Sequence, residues 1–232
     1  MKKTLVATLA LGMVAGATSL ALADINGSAH DFGTSPGAGG SSPEGEICIP
    51  CHTPHNAYGP AGGPFTNTLV PLWNHLTTTT APSPYTGVTD SGTTYDAGTQ
   101  PVAGVSLACM SCHDGTLGAW EYYLPGGGTQ TGGTLIGSAL LGTDLSNDHP
   151  VSIIYDTALV TADTATAGGV VGLRNPTVAP ASNYLFPQTG VTGGLVECGS
   201  CHDVHNQGDS TASFLLKLDN TDSALCLECH IK

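Results

Sequence analysis

The eight cysteines of this 232-residue chain fall into four pairs with one spacing: Cys48-Ile49-Pro50-Cys51-His52, Cys109-Met110-Ser111-Cys112-His113, Cys198-Gly199-Ser200-Cys201-His202 and Cys226-Leu227-Glu228-Cys229-His230. Each is C-x-x-C-H, the spacing of c-type haem attachment. Two thiols one short turn apart form thioethers with the vinyl-derived carbons of the macrocycle. The histidine that follows stands beneath the iron as proximal ligand. Zinc held by paired C-x-x-C units and a disulfide framework are the alternatives. Neither gives a reason for a histidine after every pair. The four words therefore predict four covalently bound haem c groups, their irons on His52, His113, His202 and His230.

Each iron has a second axial position, filled or open. Once a leader is removed, Met110 is the one methionine left, and it sits inside the second word, badly placed to reach any iron. Histidines remain: His30, His55, His75, His149 and His205, five candidates for four positions. The arithmetic favours bis-histidine ligation throughout, hence low-potential irons. His55 and His205 lie three residues after their own proximal histidines, on the proximal side of their own haems. Their useful targets are neighbouring haems, which would interlock the macrocycles in pairs. The alternative is that they are surface imidazoles.

The elements that must hold these sites are short. Met1-Lys2-Lys3, the apolar run Leu5–Leu20 and Ala21-Leu22-Ala23 read as a signal peptide over 1–23, leaving 24–232 as one tetrahaem domain. A retained membrane anchor is the alternative, with an apolar run short for a bilayer span. With 32 glycines, 15 prolines and 6% aromatic residues, the chain has little material for long helices or a large apolar core. The expected fold is mostly irregular coil with short helices and few short strands, packed around a chain of four c-type haems that serve as its core. Residues 24–46 read as a loose arm, 76–106 as an exposed loop and 125–143 as irregular chain. Leu107–Gly115 reads as a helical turn, Val151–Tyr155 as a strand, and Phe214–Leu218 and Ser223–Cys229 as short helical pieces. The first and third words extend to C-x-x-C-H-x-x-H-N, and the second and fourth do not. That order suggests two dihaem units in tandem, about 24–125 and 145–232.

The formal charge is −13, and more negative once the two leader lysines are gone. Such a surface argues against nucleic acid and anionic membranes as partners. A reductase acting on a small oxyanion would need an open iron beside cationic groups, yet Arg174, Lys217 and Lys232 are the only Lys or Arg beyond the leader. The chain reads as a non-enzyme that transfers electrons.

Ser28–Phe32, the first word to Asn56, Pro71-Leu72-Trp73-Asn74-His75, Cys109–Gly115, Leu141–Tyr155, Glu197–Asn206 and Phe214–His230 together resemble the doubled-CxxCH multihaem cytochromes c. More narrowly they resemble the tetrahaem extracellular nanowire cytochromes of the OmcE type. The resemblance implies distal roles for His30, His55, His149 and His205, with His75 the least secure. It implies an extracellular homopolymer in which a neighbouring subunit supplies one distal histidine, with other redox proteins or extracellular acceptors as partners. A monomeric periplasmic or outer-surface carrier is the alternative.

Overall fold

The computed structural model describes residues 25–33, 45–54, 70, 72–86, 96–98, 100–124, 129–166, 168–169, 172–205 and 213–231. The leader expected over 1–23 and His55 lie outside them. The described chain is mostly coil, with a few short helices and one two-stranded sheet. Among the described residues no helix is long and apolar enough to cross a membrane.

Helix α1, Gly104–His113, carries the second word. Leu107, Ala108 and Met110 are good helix formers, and Gly115, in the left-handed region at φ 74°, follows the end. The helix begins three residues before the turn expected from the sequence. Val102 and Ser106, read as part of an exposed loop, are buried. The reason is tertiary: the backbone N–H of Ser106 donates to Glu197 at 3.1 Å, ninety-one positions away.

Strand β1, Ile153–Asp156, falls where the β-prone run predicted it. Its antiparallel partner β2, Gly193–Val196, was not anticipated, because Gly-Gly-Leu-Val is poor strand material. The glycines are there for close approach. A Cβ on Gly193 would collide with the Tyr155 carbonyl oxygen, and one on Gly194 with that of Phe186. Helix α2, Thr157–Thr166, follows β1 directly. Asp156 caps it, its Oδ1 accepting from Leu159 N–H at 2.8 Å. The single turn α3, Cys198–Cys201, holds the third word. The two helical pieces expected near the C-terminus are 3-10 turns at Ser213–Leu215, Thr221–Ser223 and Cys226–Glu228.

Three small cores hold the chain. Phe32, Ala119, Trp120, Tyr122 and Leu135 form the first, with Cys51 and Cys112 packed against it. Ile153, Tyr155, Ala181 and Val196 form the second, touching Cys229. Val102, Met110 and Leu145 form the third. The N-terminal arm is not loose where it is described. Asp31 is fully buried, accepting from Gly27 N–H at 2.7 Å and Gly33 N–H at 3.1 Å, and this turn puts Phe32 edge-on to Trp120.

Candidate haem-binding site

Each word winds through one tight turn, and in three of them the histidine then leaves in an extended bridge. In the first, third and fourth, the histidine N–H donates to the carbonyl of the first cysteine, at 2.8, 3.0 and 2.9 Å. The second is the last turn of α1. Cysteines three apart on such a turn share a face, as a macrocycle bridging both thiols requires.

A second device pins each histidine. At the first word Thr53 N–H donates to Leu72 and Asn74 N–H donates to Cys51, both at 2.9 Å. At the third, Asp203 donates to Leu215 and Lys217 to Cys201. At the fourth, Ile231 donates to Gly172 and Arg174 to Cys229. Each pair of bonds closes a one-residue antiparallel bridge, facing Trp73, Leu216 or Leu173. At the second word Leu141 and Gly142 donate to the His113 carbonyl instead. The bracing role of these segments was missed by sequence reasoning, although Leu72-Trp73-Asn74, Leu141-Gly142 and Leu215–Lys217 belong to stretches that carried the resemblance. Asn74 is buried, its amide donating to Ile49 at 2.7 Å and Tyr123 at 3.1 Å.

The structure brings three word histidines against three histidines from outside the words. His52 faces His205 with ring centroids 6.0 Å apart, His113 faces His30 at 6.0 Å, and His230 faces His149 at 6.3 Å. Two metal–nitrogen bonds of about 2 Å each, plus the half-width of two rings, add up to about 6 Å. The separations therefore suit one metal ion between each pair of rings. His202 has no paired ring among the described residues.

Orientation and charge fit the same use. His113 Nδ1 meets the Ala139 carbonyl at 2.6 Å, His202 Nδ1 that of Phe214 at 2.9 Å, and His149 Nδ1 that of Pro150 at 3.0 Å. A proton on Nδ1 leaves Nε2 with its lone pair, the usual way a protein orients a ligating imidazole. Burial, then the nearby imidazoles of His113, His202 and His205, pushes His30 down to about 4. Burial likewise lowers His113, and desolvation with the adjacent His149 lowers His230. These shifts favour the neutral form that a metal ligand needs.

His75 differs. It is buried, with Nδ1 2.6 Å from the Leu76 carbonyl and Nε2 2.9 Å from that of Gly118. Both ring nitrogens face backbone oxygens, and Nε2 also lies 3.3 Å from Cys112 Sγ.

Haem fits this donor set on a further observation. Among the described residues, six of the eight exposed large apolar side chains flank the words: Leu72, Leu140, Leu141, Val204, Phe214 and Ile231. Apolar surface gathered around four attachment points suits a flat apolar group. No two of the eight cysteines are joined as a disulfide. Among the described residues no three His, Cys, Asp or Glu side chains converge as a single zinc ion would need.

The thiols also neighbour one another between words. Cys51 and Cys112 flank one core, Cys109 and Cys198 lie within hydrogen-bond reach, and Cys201 interacts electrostatically with Cys226 and Cys229. What joins α1 to α3 is Glu197, buried beneath Gly104. One carboxylate oxygen accepts from Ser106 N–H, from the Ser106 hydroxyl and, at 3.2 Å, from the Ser152 hydroxyl. Cys198 N–H in turn donates to Ser106 Oγ at 3.0 Å.

The family model for the doubled CXXCH motif matches residues 190–232. That segment holds the third and fourth words. The match supports a multihaem c-type cytochrome, and the motifs indicate covalently bound haem c and electron transfer. No curated protein matches the chain closely enough to count as a relative.

Proposed function

We propose that the chain is a tetrahaem cytochrome that conducts electrons through four bis-histidine irons and polymerises outside the cell into a filament. The observation that carries the bis-histidine reading is the set of three imidazole pairs, each joining a word histidine to one from elsewhere in the chain; the count of four irons rests on the four words. His52 and His205, His113 and His30, and His230 and His149 are the axial pairs. His202 takes His55, from its own chain or from a neighbouring copy. His75 is left out of the ligand set because it is buried with a backbone carbonyl oxygen against each ring nitrogen, one of them accepting its N–H and the other standing in front of its lone pair.

Bound haem supplies an iron that gains and loses one electron. The chain's own residues do the rest. The words fix two thioethers and a proximal nitrogen per group, the braces hold each histidine backbone, and the Nδ1 contacts set which nitrogen faces the metal. Two axial imidazoles leave no position for a substrate, which supports conduction over reduction of a small molecule. Neighbouring thiols from word to word support a continuous route.

The filament reading rests on the resemblance and on the leader. One observation favours a monomeric carrier instead: the three imidazole pairs form inside a single chain. The test is mass spectrometry with haem quantification of the secreted protein, followed by negative-stain electron microscopy. Four haems per chain and thin filaments are expected. Fewer than four haems would sink the ligand scheme, and particles of one chain's mass would leave a soluble carrier.

A further inference from the structure

The three imidazole pairs differ in how their planes meet. His52 and His205 are 25° apart, whereas His30 and His113 meet at 76° and His149 and His230 at 78°. An imidazole donates to iron through the π orbital perpendicular to its ring, so the ring's rotation selects which of two dπ orbitals it raises. Near-parallel planes act on the same orbital and separate the two in energy. Planes near a right angle act on one orbital each and leave the two almost level.

Resting on the bis-histidine reading above, we propose that the chain holds its irons in two electronic classes: near-parallel at the first word, near-perpendicular at the second and fourth. The rotations are built in by neighbours. His113 is turned by its Nδ1 contact with the Ala139 carbonyl, and His30 lies 5.7 Å from the Phe32 ring at 47°. His149 is turned by the Pro150 carbonyl. His52 stands edge-on to Trp73 at 87°, with centroids 6.4 Å apart. In the oxidised state the unpaired electron occupies the upper dπ orbital. Separating the orbitals therefore stabilises oxidised iron, so the first site is harder to reduce than an otherwise equal neighbour.

The test is low-temperature electron paramagnetic resonance of the oxidised, full-length holoprotein, beside near-infrared magnetic circular dichroism. The second method recognises bis-histidine iron whatever the ring angle, so it judges the ligand reading separately. Near-parallel planes give a well-resolved rhombic signal; near-perpendicular planes give a broad signal with one very large g value. The expected spectrum has a rhombic part worth at least one iron and a large-g part worth at least two. His205→Ala should remove one iron from the rhombic part and His149→Ala one from the large-g part, each reappearing as a high-spin signal. Loss from the opposite part in either variant overturns the assignment. If a variant fails to mature, the native spectrum still decides: with all irons bis-histidine, a missing rhombic part or fewer than two large-g irons overturns the proposal.

Discussion

A histidine serves iron only if one ring nitrogen is left over for it, and that separates His75 from the others. Its Nδ1 and Nε2 both lie against carbonyl oxygens, so we assign it a structural place between Gly118 and the segment that braces the first word. His75→Gln should leave all four irons low-spin and cost about 1–3 kcal/mol in a denaturant titration of the holoprotein, the usual penalty for disturbing buried hydrogen bonds. A high-spin iron in that variant would make His75 a ligand after all. His205→Ala should do the opposite, turning one iron high-spin in the visible spectrum at unchanged haem content. Burial also lowers His75 from 6.5, so the unfolded chain binds its proton first. That part of the stability is present above pH 6.5 and lost as pH falls through the lowered value, and His75→Gln should flatten the dependence. The four C-x-x-C-H words stand out in the sequence because their pattern is local. The role of His75 does not stand out, because it depends on Gly118, forty-three positions away.

At the scale of elements, α1 and α3 meet through one buried carboxyl. Glu197 has three donors on one oxygen, while the other has no partner among the described residues. Burial raises it above the usual 4.5 despite those donors. For an acid raised on folding, stability falls as pH climbs from 4.5 towards the raised value, because the unfolded carboxyl sheds its proton first. Glu197→Gln keeps an acceptor for the serines, so near neutral pH it should lie within about 1 kcal/mol of native and lose that slope. Glu197→Ala strands Ser106 and Ser152 and removes the cap of α3, and should cost about 2–4 kcal/mol. Equal losses for the two variants in denaturant unfolding at pH 4.5 and 7 would show that packing, not the hydrogen bonds, joins the helices. Strand β1 and the turn around Cys109 were legible because propensity and pattern agree there. Helix α2 was not, since its four threonines are weak helix formers, although Asp156 ahead of Leu159 is a capping signal. Strand β2 and the braces behind the histidines depend on partners far along the chain, so no local pattern announces them.

For the whole molecule, the question is what the fold amounts to without its macrocycles. The three cores hold five, four and three buried residues, and six exposed large apolar side chains surround the words. Burial of apolar surface stabilises by about 25 cal/mol per Å², and clusters this small cannot offset the ordering of so much glycine-rich coil. Haem would change that balance by covering Leu72, Leu141, Phe214 and Ile231 and by tying each word with two thioethers. Folding and attachment should then be one event, as in small metal-dependent domains. Produced without haem-attachment machinery, the full chain should bind a hydrophobic dye strongly and melt without a cooperative transition. The holoprotein should ignore the dye and unfold cooperatively. A cooperative melt of the haem-free chain, with little dye bound, would mean that the protein scaffold stands on its own. The haems would then be passengers held in a finished frame, and the apolar ring around each word would need another explanation.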